Sequence, residues 1–427
     1  MLATAERAIL NQVGPGEKIS ILRGLVAGSF RLLNDHKFPN GTIPASLGRY
    51  DDEHFKGTIW VRDVAHAVQF ALDPDFNQAF PHLQKDARSL YLSAIHGILE
   101  MQTNPEQIER FKSKPGWPDK DGYYSLGDQQ APAIKFYGYD GSIVREWGHN
   151  QPDSWGILLL EAGKGIEAGL TVLEAERFNP GETLANITSY VTNLKVERLN
   201  CRSIWERDHL KSPYSTRRIV LAGLEQMLEI WDQIEQDSQI KAYQLPINQK
   251  DLLAAAKSLR GLVREHEGDF TDLNHPFAGD LSSLVVLNDV KLPIDEQTAV
   301  IKSITEGELE NSLGCYRWVG DSWKENEIEA KWTIGKPMIA KYHLEQAKRL
   351  AITNPSASLR HLDHGLDRMQ HILDIFHKYH YIPELFEYGS HTTLFRPNNN
   401  DLAWTRSAVI GSASKGIVAL QMLTGAA

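Results

Sequence analysis

The chain has 427 residues, of which 42% are hydrophobic and 23% charged, and it carries a formal net charge of −10. That balance excludes a disordered chain, and the length suffices to bury a large core. With no run of five or six like charges and no stretch near the roughly 18 apolar residues of a membrane span, neither nucleic acid nor membrane is expected as a partner.

Residues 1–12 mix Glu6 and Arg7 into apolar neighbours and lack the apolar core and cleavage site of a signal peptide, so a cytoplasmic location is expected. From there, apolar residues recur three or four apart in separate windows. Val220, Leu224, Met227, Leu228, Trp231 and Ile234 share one face in this way and predict a helix over 214–236. The same spacing predicts helices near 19–34, 63–72, 86–102, 153–171, 183–196, 249–265, 280–289, 295–306, 335–351, 358–377 and 404–423. Strand alternation is scarce, with Ile134 to Tyr139 a short candidate.

Between the helices lie turn-rich stretches at 36–60, 104–152, 198–214, 307–334 and 379–403. Loops longer than about 12 to 15 residues are uncommon in compact domains unless they carry function. No linker or fixed repeat divides the chain, so one all-α domain over 1–427 is expected. Helices joined alternately by short turns and long loops can close into a two-layered barrel with the long loops over one mouth. Periodicity predicts the helices and leaves that closure open.

The first loop ends in Gly57-Thr58-Ile59-Trp60-Val61-Arg62-Asp63. Asp63 suits a sugar hydroxyl and Trp60 the apolar face of a sugar ring, although an acid at a helix start also caps backbone amides. Glu146-Trp147-Gly148-His149-Asn150-Gln151-Pro152-Asp153 again gathers an aromatic ring, amides and an acid before a helix, with a capping Asp153 as the alternative. Ile204-Trp205-Glu206-Arg207-Asp208 and Tyr381-Ile382-Pro383-Glu384-Leu385-Phe386-Glu387 each set a carboxylate among apolar residues. Burial raises a carboxyl pKa, which lets a glutamic acid keep a proton to donate near neutral pH, and glycosidic cleavage needs two such groups. Either Glu alone also fits a surface or ion-paired residue.

In their order these blocks resemble the motifs of the glucoamylase family of glycoside hydrolases and of the glucoamylase-like domain in phosphorylase kinase α and β subunits, over nearly the whole chain. Gly41-Thr42-Ile43-Pro44-Ala45-Ser46 followed by Trp60-Val61-Arg62-Asp63 is similar to the opening of the kinase-associated domain, and Trp-x-Arg-Asp is shared with the enzymes. The resemblance matches Glu206 to the family's general acid. The second Glu of that block is Arg207 here, a form more similar to the kinase-associated branch. Glu384 matches the general base, before Leu402-Ala403-Trp404, with Glu387 as its neighbour on the same loop. Gly314-Cys315-Tyr316-Arg317-Trp318 is similar to a segment whose Arg reaches bound sugar.

The resemblance implies an (α/α)6 toroid and an inverting, exo-acting hydrolase that frees β-glucose from non-reducing ends of maltodextrins, without metal or organic cofactor. It implies a substrate site of Trp60, Arg62, Asp63, Trp147, Gln151, Asp153, Trp205, Arg207, Arg317 and Trp404. Two other outcomes stay open: a carbohydrate-sensing domain without turnover, and a hydrolase of another α-linkage such as isomaltose or trehalose. Cys201 and Cys315 have no metal or redox spacing, though one bridge between them is conceivable. His361, His364 and His371 fall at helical spacing without a recognised ligand pattern, and no metal site is expected. Gly163-Lys164-Gly165 lacks the phosphate-loop pattern.

Overall fold

The structure is a computed structural model that describes residues 10, 12–47, 57–202, 210–211, 214–236, 246–265, 281–290, 292–307, 309–311, 313–317, 322–323, 328–388, 395–397 and 401–425. Its helices are α1 (Pro15–Asp35), α2 (Val61–Val68, extended by a 3-10 turn over Gln69–Leu72), α3 (Pro74–Ala79), α4 (Gln84–Met101), α5 (Pro105–Phe111), α6 (Pro152–Glu167), α7 (Pro180–Asn193), α8 (Tyr214–Glu229), α9 (Trp231–Gln236), α10 (Gln249–Glu265), α11 (Ser282–Asp289), α12 (Ile294–Thr305), α13 (Gly335–Leu350), α14 (Pro355–Tyr379) and α15 (Ala403–Thr424). Short strands lie between them: β1 (Thr58–Trp60), β2 (Tyr124–Ser125), β3 (Lys135–Tyr137), β4 (Leu199–Cys201), β5 (Leu210–Lys211), β6 (Ser322–Trp323), β7 (Ile328–Trp332), β8 (Leu385–Tyr388) and β9 (Phe395–Pro397).

Helices α2, α6, α8, α11, α13 and α15 each pack on the next, and α15 packs back on α2, so six helices close an inner ring. Outside it, α4, α7, α10, α12 and α14 each lie against the inner helix that precedes them, while α1 lies against α15 and joins the two ends of the chain. This is the (α/α)6 toroid expected from the resemblance.

Sequence decides which layer a helix occupies. Helices α6 and α15 carry apolar or small residues almost all round and are buried on nearly every side, as a helix inside a second layer must be. By contrast, the outer α14 alternates a buried stripe with charged residues. It starts at Pro355 behind Asn354, whose side chain accepts from Ala357 N at 3.1 Å, and stops at His380, which adopts left-handed φ of 64°.

Small residues let the inner helices approach closely. A Cβ on Gly156 would stand 2.8 Å from the Val220 backbone, and one on Gly223 would stand 2.4 Å from the Gly156 carbonyl oxygen. The glycines around Lys164 have the same origin: they lie inside α6, and a Cβ on Gly165 would press on the Tyr91 ring at 2.8 Å. Gly156→Ala is therefore expected to lower stability by about 1–3 kcal/mol through overpacking. The check is a lower urea midpoint with an unchanged slope.

Chain connections alternate in length. Two inner helices lead to outer ones through short turns, 290–293 and 351–354, while the stretch after α8, 230–248, holds α9; the stretches into the inner helices are all long: 36–60, 112–151, 194–213, 266–281, 306–334 and 380–402. Neighbouring long loops bond to one another around the ring. Leu47 N donates to Asp401 O at 2.8 Å, Val61 N to Ile134 O at 2.9 Å, Arg202 N to Asn150 O at 2.9 Å, Leu281 N to Arg317 O at 2.6 Å, and Thr333 N to Glu384 O at 3.0 Å. Five of the six junctions are thus closed at the N-terminal ends of the inner helices, so the long loops share one mouth. Among the described residues no helix is long and apolar enough to cross a membrane.

Candidate active site

The first two mouth loops meet through strands. β1 pairs antiparallel with β3, setting Trp60 opposite Lys135. The ammonium of Lys135 sits 4.0 Å from the centre of the Trp60 ring and 3.8 Å from that of Trp147, and the two indoles meet edge to face at 5.6 Å. Cation–π attraction of this kind strengthens when water is excluded, and Lys135 is fully buried. One face of Trp60 is thereby occupied, and the half-buried Trp147 keeps more of its surface.

Directly after β1, α2 and the start of α6 bring four predicted residues together. Arg62 Nη1 donates to Gln151 Oε1 at 2.7 Å and to Asp153 at 3.3 Å, while its Nε lies 3.5 Å from Asp63. Gln151 in turn donates to the Gly148 carbonyl at 2.8 Å. Capping does not explain either acid: the N-cap positions are Trp60 and Gln151, and Asp63 and Asp153 fall within the first helical turn. Asp153 is completely enclosed and works on Arg62, whereas the Asp63 side chain retains 13% exposure at the mouth.

His149 braces this block from behind. Its Nδ1 accepts from Ile134 N at 3.4 Å and its Nε2 donates to Val144 O at 2.9 Å. Burial, reinforced by nearby Arg110, holds its pKa down at about 4, so the ring is neutral and the two bonds fix one tautomer.

Trp205, Glu206 and Arg207 lie outside the described residues. Their flanks are held beside the block just described. Cys201 is registered opposite Leu210 in the β4–β5 pair, and Arg202 packs on Gly148 so closely that a Cβ there would stand 2.2 Å from its Nε.

On the other side of the ring, β7 joins two blocks far apart in sequence. Trp332 exchanges backbone hydrogen bonds with Cys315 at 2.7 and 2.9 Å, and its ring takes the Arg317 guanidinium at 4.5 Å. The next residue, Thr333, donates its N–H to the Glu384 carbonyl and its hydroxyl toward the carbonyls of Pro383 and Glu384. Glu384, 7% exposed, and Arg317, equally buried, therefore stand on loops tied through residues 332–333. Glu387 pairs with Ala330 three positions later, and its side chain is outside the description.

Trp404 opens α15 and stacks flat on His66 of α2, with ring centres 4.0 Å apart. Beneath that stack the barrel axis is polar. Asp289 of α11 accepts from Gln69 at 2.9 Å and lies 3.5 Å from His66 Nδ1. Burial, resisted by Lys164 and Lys341, pushes the Asp289 carboxyl up to about 7 from its ordinary 3.8. A raised acid stabilises the fold fully below the unfolded value and loses that contribution as pH climbs through the folded value. Asp289→Asn should therefore gain on the native chain between pH 4 and 7, by roughly 3–4 kcal/mol in all at about 1.4 per pH unit, and level off above. Paired denaturation curves at pH 4.5 and 7.5 check the sign.

Several of these residues escaped the sequence reading. Lys135 lay in the one short strand candidate, but a lysine there carried no chemical signal. Thr333 and Trp332 act through backbone and stacking, and His66 and Asp289 meet only across the closed barrel. Cys201 and Cys315 are both free and buried, so the conceivable bridge is not formed. His361 bonds His343 through their Nδ1 atoms at 3.0 Å, and among the described residues no acid, thiol and imidazole group is arranged to hold a metal ion.

No sequence-family model matches the chain, and no curated protein does. Solved structures share its fold at low identity. The glucoamylase of Hormoconis resinae is 16% identical with a TM-score of 0.61, over 95% of this chain and 74% of that one. A bacterial glucoamylase complexed with acarbose is 13% identical with a TM-score of 0.55, over 93% of this chain and 56% of that one. A D-mannose isomerase is 10% identical with a TM-score of 0.50, over 97% and 99% of the two chains. Neighbours with different named activities show the architecture, and function must be argued from the mouth itself.

Proposed function

We propose that this chain is, over 1–427, a single catalytic domain that hydrolyses α-glucosides, inverting the anomeric centre and releasing glucose from non-reducing ends of maltodextrins or short α-glucans. The reading is supported by one observation above all. The stretches that carry acid-and-aromatic blocks are the ones whose described parts bond to one another at the N-terminal ends of the inner ring. The named activities of the two glucoamylase neighbours, one of them holding acarbose, agree with it.

In this mechanism Glu206 gives its proton to the glycosidic oxygen as the bond to the anomeric carbon breaks. Glu384 takes a proton from a water whose oxygen bonds that carbon from the opposite face, so an α-linkage yields β-glucose. Inversion requires the carboxyls about 6.5–9.5 Å apart, which leaves room for the water. Arg62, Asp63 and Arg317 hold the terminal glucose, with Gln151 and Asp153 keeping Arg62 in place and Arg207 beside the acid. Trp60, Trp147, Trp205 and Trp404 wall the pocket, burying sugar C–H faces while polar groups take hydroxyls. No cofactor is required, and a cytoplasmic setting suits soluble maltodextrins.

Arg207, in the position of the resembling enzymes' second Glu, favours a second reading: a sugar-sensing domain like the kinase-associated one, with binding and no turnover. Incubation with maltodextrins, maltose, isomaltose and trehalose separates the two. Glucose release, fastest from maltodextrins, is expected. Binding with no release from any of the four would establish the sensor instead, and a clear preference for isomaltose or trehalose would move the linkage.

A further inference from the structure

The large apolar side chains that remain in water divide by kind. Among the described residues the aliphatic ones, Leu253, Ile294, Ile352, Leu359 and Met422, are spread over α10, α12, the 351–354 turn, α14 and the end of α15. The aromatic ones are Trp117, Tyr137 and Tyr139, and all three stand on one mouth loop, 112–151. Single exposed aliphatic residues are ordinary on any surface, but Trp117 is 96% exposed, whereas tryptophan is highly buried on average.

The backbone holds that ring out. Pro115 and Pro118 fix φ on either side, and a residue before proline is confined to extended backbone, so Pro118 restricts the conformation of Trp117 itself. Beyond it the chain turns tightly. Asp119 N donates to Tyr123 O at 2.7 Å, Gly122 N to Asp119 O at 3.0 Å, and Asp119 Oδ1 accepts from Asp121 N and Tyr123 N, both at 2.9 Å. Gly116 N closes the hairpin on Ser125 O at 3.3 Å. Its foot is β2, where Ser125 is registered on Asn200 of β4, the strand that precedes Trp205 and Glu206 in sequence. Asn150, the neighbour of Gln151, donates its Nδ2 to Leu126 O at 3.1 Å and to Asn200 O at 2.9 Å. Trp117 thus projects from an arm rooted between the Arg62 block and the stretch that carries Glu206.

We propose that Trp117 is an outlying binding site for an α-glucan chain, stacking on one of its glucose rings outside the catalytic pocket; the choice of ligand rests on the reading of the mouth given above. An indole face covers the C–H face of a pyranose while the sugar hydroxyls stay in water. The ring is already placed, so little conformational freedom is lost on contact, and a single stack can then contribute measurably. Other occupants of an exposed indole fit less well. An anionic membrane surface would repel a chain of net charge −10, and a second copy of the chain would need an apolar patch, whereas Lys114, Asp119, Lys120 and Asp121, exposed on the same turn, are charged.

Calorimetric titration with β-cyclodextrin tests it, because a closed ring of α-linked glucoses offers a stacking face and no chain end for an exo-acting pocket. Trp117→Ala is expected to weaken that binding about tenfold, the contribution of a good aromatic stack. Trp117→Phe should keep most of the affinity, and Ile352→Ala, which removes an exposed side chain on the 351–354 turn, should keep all of it. The Trp117 side chain is almost wholly in water, so the fold does not depend on it. Equal affinity in the native chain and Trp117→Ala would overturn the proposal, as would no measurable binding by the native chain. Self-association abolished in Trp117→Ala with cyclodextrin affinity unchanged would overturn it too, because the ring would then be a contact between copies. Binding is read here without turnover. Trp117-dependent binding with no hydrolysis of maltodextrins defeats the proposed activity alone, and hydrolysis with no such binding defeats this site alone.

Discussion

Glu384→Gln is expected to lower kcat on maltodextrins by about 10²–10⁴-fold, the usual contribution of a positioned general base, while KM stays near its native value. The glutamine occupies the same volume in a site that is 7% exposed, and the hydrogen bonds from Thr333 reach the backbone carbonyl, which the substitution leaves in place. The fold should therefore persist. What is lost is the ability to accept a proton from water, an event confined to the transition state, so the loss belongs in kcat. Glu206→Gln should fall as far on maltodextrins yet recover much of its rate on an aryl α-glucoside with an acidic phenol, whose leaving oxygen needs no proton. Glu384→Gln should show no such recovery. Glu387→Gln is expected to remain near native; if it is the inactive variant while Glu384→Gln turns over normally, the base has been assigned to the wrong carboxylate.

The largest expected loss of stability is at Asp401. Arg406 Nε donates to Asp401 Oδ1 at 2.8 Å and its Nη2 donates to Oδ2, a bidentate pair whose side chains are only 4% and 2% exposed. Arg406 also rests over the Phe376 ring at 5.5 Å and points Nη1 toward Ser29. The pair lies where the last mouth loop turns into α15, and the Asp401 carbonyl accepts from Leu47 of the first mouth loop. Asp401→Ala strands a buried guanidinium, which costs about 3–5 kcal/mol when a buried ion pair loses one partner. Removing both charges relieves that burial, so Asp401→Ala with Arg406→Met should be less destabilised than the sum of the single variants. Denaturant midpoints of the four proteins close the cycle, and additivity would mean that the two groups are uncoupled.

Helices were the readable part of this chain because each of the twelve principal ones has to bury a stripe, or its whole circumference, against a second layer. The predicted windows at 86–102 and 404–423 fall within a few residues of Gln84–Met101 and Ala403–Thr424. The short α3 and α5 and the separate α9 were not foreseen, since six or seven residues carry too little periodicity. Strands of two to five residues are set by bonds between loops distant in sequence, such as Lys331 opposite Phe386, and no local pattern announces them. At the mouth, Arg62, Gln151 and Asp153 were each visible as unusual loop residues, but their union depends on ring closure. Lys135 between two indoles was legible only as an unremarked residue in a strand candidate. Asp289 becomes an acid of raised pKa because closure of the ring buries it on the axis between α11 and α2, a relation that sequence spacing does not carry.

The central claim is that two carboxylates at this mouth invert an α-glucosidic centre, and the anomer of the first product tests it most directly. Proton NMR of maltodextrin hydrolysis, recorded within minutes and before mutarotation, should show β-glucose accumulating ahead of the α-anomer. Glucose appearing first as the α-anomer would contradict the account, because it would require a covalent intermediate and a nucleophile where a water-activating base has been assigned.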